Sequence, residues 1–213
     1  MTTWSVQAIC AGTAVPFRGQ EKSAFAKTPM EGPLAILSEG LDVDEQADRK
    51  HHGGPDMALH LYPADHHAFW NAELGGHELL GTPGAFGTNL VVNSIDEEQV
   101  HIGDRFQLGG ALIEISQSRQ PCWKIEHRFD RKGMVATIIK TGRSGWYFRV
   151  LEEGSVQAGD QLERIAIGHR EWSVRRAFTT LFGPKASQED LAALAALERL
   201  SVNHRERATK RLS

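Results

Sequence analysis

Through the first two-thirds of the chain, hydrophobic positions recur with the period of two that marks a half-buried strand. Trp4, Val6, Ala8 and Cys10 alternate with polar or small residues. Short apolar runs follow at "GPLAILSEG", "MALHLY" and "FGTNLVV". "DRFQLGGALIEIS" reads as a hairpin, two β-rich runs around Gly109-Gly110. "GWYFRVLEEGSVQAGDQLERI" repeats that pattern with a turn near Gly154. Strands at this spacing, separated by glycine-rich turns, predict a mostly β fold built on a closed or nearly closed barrel. Two helices interrupt it. "PADHHAFWNAEL" offers Ala68, Phe69 and Leu74 to a core, and "PCWKIEHRFDRKGMVATIIKTG" runs to Gly142, a suitable C-cap.

From His169 onward glycine nearly vanishes, and alanine, leucine and arginine dominate. "WSVRRAFTTLF" has the pattern of a short amphipathic helix that Gly183-Pro184 ends. "SQEDLAALAALERL" opens on Ser187 with Asp190 three positions on, a capping box that starts a second helix. "SVNHRERATKRLS" makes a third. The predicted division is a barrel over residues 1–167 and a three-helix unit over 168–213. A bundle of roughly 45 residues is near the size where a core barely sustains itself, so it is expected to pack on the barrel. Its basic end, "HRERATKR", reads either as a docking surface for a partner or as a solvated face. On the first reading, a cut near Gly168 would leave a folded barrel.

Composition narrows the class. The chain has 213 residues, 40% hydrophobic and 24% charged, as expected of a globular fold with a sizeable core. A net charge of −3 argues against a general nucleic-acid binder. No run approaches the ~18 apolar residues of a membrane helix, and the N-terminus lacks a signal-peptide pattern. Two cysteines are too few for a secreted disulfide scaffold, so a cytoplasmic location is expected.

Three stretches carry candidate chemistry. "KHHGGPD", residues 50–56, holds two histidines, two glycines and an acid. It reads as a metal site, an anion-cradling loop or a plain turn. His51, His52, His60, His66 and His67 match no zinc spacing. Gly53 and Gly54 free the backbone for a concavity of N–H groups. Cys122, in "SRQPCWK", falls after a strand and at the start of a helix, beside Arg119 and Lys124. A thiolate there is a nucleophile or a soft metal ligand, against the commoner fate of an inert buried cysteine. Cys10 reads as core. Lys22-Ser23 pairs an ammonium with a hydroxyl, suited to a phosphate but short enough to be ordinary surface.

Together, "GLDVDEQADRKHHGGPDMALHLYP", "AFGTNL", "IGDRFQLGGALIEISQSRQPCWKI" and "TGRSGWYFRV" resemble MOSC domains, in order and spacing. The branch they resemble is the stand-alone bacterial one linked to resistance against N-hydroxylated purines. "EWSVRRAFTTLF" is similar to the three-helix domain that follows MOSC there. The resemblance implies a MOSC-type β-barrel that binds the molybdenum cofactor (molybdopterin) and reduces N-hydroxylated compounds to amines, a detoxifying activity. It implies Cys122 as the metal's protein ligand, and Lys22, Ser23, Asn89 and Arg119 as cofactor contacts. It also implies a pocket-facing histidine, taken as His52, beside Gly53 and Gly54. His52 or Asp56 would pass protons through water. The chain has no flavin or nicotinamide fingerprint, so a separate flavin-containing reductase is the expected electron donor. The alternative is a non-catalytic cofactor-binding or sulfur-carrier module. A cysteine-nucleophile hydrolase would need a histidine beside Cys122, and His127 is turned away along the predicted helix.

Overall fold

Alternation along a strand buries one face only, so strands of this kind must close on themselves or stack. Here they close. The computed structural model describes residues 2–47 and 53–212. Its strands are β1 (Thr2–Ala11), β2 (Val15–Arg18), β3 (Glu21–Ser23), β4 (Thr28–Pro29), β5 (Leu34–Leu37), β6 (Gly40–Leu41) and β7 (Leu59–Leu61). Then come β8 (Leu90–Val92), β9 (Arg105–Leu108), β10 (Ala111–Ser118), β11 (Trp146–Glu152), β12 (Gly154–Val156) and β13 (Gln161–Ala166). The helices are α1 (His66–Leu74), α2 (Trp123–Arg128), α3 (Met134–Thr141), α4 (Val174–Phe182), α5 (Gln188–Ala195) and α6 (Val202–Leu212).

The barrel runs in the order β13, β9, β10, β11, β7, β8, β1, and β1 returns to β13 with Thr2 opposite Arg164. All these pairs are antiparallel except β7 with β8, whose parallel register needs a crossover; α1 lies in that crossover. β1 changes partner along its length, from β13 to β8 to β4. A register shift between Val6 and Ala8 breaks its alternation, and Ile9, Cys10 and Ala11 are all buried beyond it. β2 and β3 form a separate hairpin beside the barrel mouth.

The Gly109-Gly110 hairpin forms as expected, with Ala111 opposite Leu108. The second expected hairpin does not. Beyond Gly154 the chain enters β12, which pairs with β5 in a side sheet of β12, β5 and β6, and only then returns to the barrel as β13. The helix expected over residues 121–142 is two helices, α2 and α3. Gly133, at φ 92°, takes a left-handed conformation that a side chain would disfavour, and the chain turns there. Gly142 caps α3 as expected. α1 buries His66 and Trp70 rather than Ala68, with Phe69 and Leu74 only partly covered.

The three tail helices are present. Ser187 accepts the Asp190 N–H at 2.9 Å, the cap read from the sequence. The tail does not keep its own core. Trp172, Val174, Ala177, Leu181, Leu194 and Leu200 join one continuous cluster with the barrel interior, Phe106 and Trp146 included. Backbone bonds stitch the contact, Val174 N–H to Val100 O at 2.9 Å and Ser201 N–H to Ser116 O at 2.9 Å. Nor is the basic end a free surface throughout. His204 is buried, and Arg211 donates to the carbonyls of Thr180, Leu181 and Gly183 at the end of α4. Among the described residues, no helix is long and apolar enough to cross a membrane.

Candidate functional site

At one end of the barrel, β7, β10 and β11 run out beside the loops around residues 23–27, 44–47 and 87–89, leaving a cavity of about 100 Å³. It continues outward into a vestibule of about 800 Å³, whose wall includes the first turn of α2 and part of α6. Cys122, Gln120, Lys124 and Tyr147 line both spaces and so mark the passage between them.

A polar lattice forms the floor. Lys27 is buried in an ion pair with Asp44. Asp44 also accepts the Gly12 N–H at 2.8 Å and the Asn89 amide at 2.9 Å. Asn89 donates again to Cys10 O at 3.1 Å, and its Oδ1 accepts the His60 N–H at 3.0 Å. Every group in the lattice has a partner, so it holds β1, β7 and the 44–47 loop in fixed relation. Burial lowers the Lys27 pKa, against the pull of Asp44. Burial pushes the Cys10 thiol up to about 11, which keeps it protonated and inert.

Above the floor stand His60, Tyr147 and Arg119. His60 Nδ1 lies 3.0 Å from Gly87 O, an atom that only accepts, so Nδ1 carries the proton. Burial, then the Arg119 charge, hold the His60 pKa well below its ordinary value, and the ring stays neutral. Its Nε2 is therefore a bare acceptor, and it has no partner. Its ring centroid is 4.9 Å from that of Tyr147, whose pKa burial raises, so the phenol keeps its hydrogen. The Arg119 charge acts against that rise, and its guanidinium lies 5.1 Å over the Phe25 ring. Among the described residues no carboxylate pairs with Arg119, although it is only 5% exposed. A buried cation without a counter-ion is costly unless an anion supplies one. Cys122 is a free, half-buried thiol at the N-cap of α2, with no capping hydrogen bond from its side chain. Among the described residues, no three His, Cys, Asp or Glu side chains form a metal-binding group.

The family model of the MOSC domain matches residues 48–163, more than half of the chain. The chain belongs to the MOSC-domain family. In this MOSC-domain protein, residues 172–213 match the YiiM-like 3-alpha helix domain. The chain is 40% identical to YflK of Bacillus subtilis (strain 168) over 182 residues, 84% of this chain and 77% of that protein. A protein named Reductase from Gibberella moniliformis (strain M3125 / FGSC 7600) is 38% identical over 157 residues, 73% of this chain but 28% of that one. The crystal structure of YiiM from Geobacillus stearothermophilus shares 28% identity and a TM-score of 0.84, covering 99% of this chain and 100% of that one.

In this MOSC-domain structure the residues singled out in the sequence fall into three groups. Ser23, Asn89, Arg119 and Cys122 line the inner cavity, and Lys22 lines the vestibule. Asn89 does so as a brace, its amide already bonded on both atoms. Gly53, Gly54 and Asp56 are not on either lining. The Asp56 carboxylate is drawn away by Arg149, at 2.7 Å, and Gly54 starts the short 3-10 turn Pro55–Met57 that brings Met57 and Ala58 to the wall instead. A proton-relay role for Asp56 therefore loses its geometric basis. His51 and His52 lie outside the described residues. Lys27, Asp44, His60 and Tyr147 escaped the sequence reading as site residues. Only His60 left a signal, a polar residue inside the apolar strand "MALHLY".

Proposed function

We propose that this MOSC-domain protein binds the molybdenum cofactor and reduces N-hydroxylated compounds to amines. The observation that carries the reading is Cys122, a free and accessible thiol at the passage between a buried cationic cavity and an open vestibule. The donor set fits such a group. A thiolate suits a soft, sulfur-ligated metal. The unpaired Arg119, with Lys124 and Lys22 further out, suits an anionic cofactor. Cys122 would be the metal's protein ligand, with Ser23, Arg119, Lys124 and Lys22 on its anionic parts. The 38% identity to a protein named Reductase agrees with a redox activity.

When bound, the cofactor would supply two-electron chemistry at a metal, and the overall change is R–NHOH plus two protons and two electrons to R–NH2 plus water. The electrons would come from a separate flavin-containing reductase. This chain's share is placement and protons. Tyr147, which lines both spaces, offers an O–H, and the His60 ring packs beside it. Both stay neutral near pH 7 because burial opposes their charged forms.

Molybdenum should be present in protein made in cofactor-competent cells and absent from the Cys122→Ser variant, with the fold intact by circular dichroism. The loaded protein, given a chemical reductant and a hydroxylamine, should release amine over many turnovers. Full molybdenum and activity in Cys122→Ser would refute the assignment. Bound molybdenum without turnover would mean that the protein only carries the cofactor.

A further inference from the structure

The vestibule is larger than a small N-hydroxylated base needs, and the tail builds part of it. On the barrel side it is lined by Lys22, Cys122, Trp123 and Lys124, and on the tail side by Asn203, His204 and Arg207 of α6. We propose that it binds a phosphate-bearing ligand of nucleotide class, with the base against Trp123 and the phosphate held by Arg207. That this ligand is the substrate rests on the proposed reductase function; that it binds does not.

Three observations point to it. First, among the described residues the lining holds three cations, Lys22, Lys124 and Arg207, against the single carboxylate of Glu21. Among the described residues Arg207 pairs with no carboxylate; it donates to Gln120 Oε1 at 3.2 Å and lies 4.7 Å over Phe182. Burial and the like charge of Arg211 both lower its pKa, the sign of a guanidinium in a positive field. Lys22 and Lys124 stand beside Cys122, where the two negative charges of a cofactor phosphate would occupy them. Arg207, on the other wall, is left for a second anion. Second, Asn203 and His204 of α6 share that wall with Arg207, so polar side chains stand beside the unpaired guanidinium. Third, Trp123 is an aromatic surface already carrying the Arg18 guanidinium 4.9 Å from its ring centroid, and aromatic side chains of this kind stack on bases. A space of about 800 Å³ is of the size that encloses such a molecule.

The test uses calorimetric titration of the cofactor-loaded full-length protein, in which Lys22 and Lys124 are occupied, with adenosine, adenosine 5′-monophosphate and inorganic phosphate. The monophosphate should bind roughly 10-fold to 100-fold more tightly than adenosine, the range of one charge-assisted contact. Arg207→Gln should abolish that preference and leave adenosine binding unchanged, while Arg207→Lys should keep part of it. Asn203→Glu changes an exposed residue of the lining, so it serves if Arg207→Gln fails to fold. It should weaken the monophosphate alone. Equal binding of adenosine and its monophosphate, or a preference that survives Arg207→Gln, overturns the proposal. So does a loss of bound molybdenum in Arg207→Gln, which would give Arg207 to the cofactor. An inactive protein with the monophosphate preference intact would sink the reductase reading and leave this one standing.

Discussion

Glu97 is fully buried and holds the site from behind. Its Oε1 accepts the Gly145 N–H at 2.7 Å and its Oε2 meets His66 Nε2 at 2.9 Å. Arg175 is 3.9 Å away. Gly145 in turn accepts the Arg119 N–H at 3.0 Å. At φ 67°, a Cβ on it would lie 3.0 Å from His60 Nε2. Glu97→Ala removes two hydrogen bonds to a charged acceptor, each worth about 1.5–3 kcal/mol, and strands two buried donors. The expected loss is therefore roughly 3–6 kcal/mol, a large share of a typical domain's stability. Glu97→Gln keeps one acceptor but turns an NH2 group toward the other donor, so about half that loss is expected. Burial works to raise the Glu97 pKa, but the His66 contact and the Gly145 N–H outweigh it and hold the carboxyl below its ordinary value. A depressed carboxylate gives its stability in full above the unfolded pKa and loses it as pH falls through the folded one. Urea unfolding of wild type and Glu97→Gln, at neutral pH and again in the acid carboxylate range, reads both effects. The gap between the two proteins should be wide at neutral pH and narrow in acid. A variant that unfolds at the wild-type midpoint at neutral pH would show that this network does not bear the site.

Two further outcomes are expected. Wild-type stability should fall as pH drops below the ordinary histidine value, because burial and then Arg207 depress the His204 pKa to about 3 while the unfolded side chain protonates near 6.5. His204→Leu should flatten that slope in urea titrations, and an unchanged slope would refute the cause. A cut after Gly168 should leave aggregated or unfolded protein, not a free barrel, as judged by gel filtration and near-ultraviolet circular dichroism. It strips eight buried apolar side chains from the shared core, at about 1.5–3 kcal/mol for a large one, which together rivals the whole stability of a domain. A monomeric, cooperatively melting barrel would show that the two parts fold independently.

The sequence made the local rules legible. The β9–β10 turn needs a glycine at its left-handed position and has it in Gly109, and α5 carries its own cap. What stayed hidden was long-range. Nothing around Gly154 says that β12 will pair with β5, because strand partners are chosen by the closure of the whole sheet and not by the turn between them. Gly133 was visible, but amphipathic residues on both sides of it argued for one helix, and only packing against Phe86 and Tyr62 separates α2 from α3. At the site, Arg119 and Cys122 were legible because they sit together at a strand-to-helix transition. His60, Tyr147 and Lys27 come from three distant segments, so their meaning exists only once the barrel has closed.

That closure also explains how the two kinds of site residue divide their work. The lattice of Lys27, Asp44, Asn89 and His60 is satisfied within the protein, except for one buried ring nitrogen that lies against Gly145. A satisfied buried network is stiff, and removing a member costs more than the bond itself. Arg119, Lys124, Lys22 and Cys122 are the reverse. Among the described residues they have no carboxylate within ion-pair reach, and the thiol caps nothing. Lys22 stays solvated, while the buried charges of Arg119 and Lys124 are tolerated because the rigid frame leaves them nowhere to collapse, and their cost is recovered when an anion arrives. A ligand that meets an unpaired cation in a preformed cavity spends little on ordering the protein. The lattice therefore serves binding without touching the ligand, by keeping those charges apart and unsatisfied until something else satisfies them.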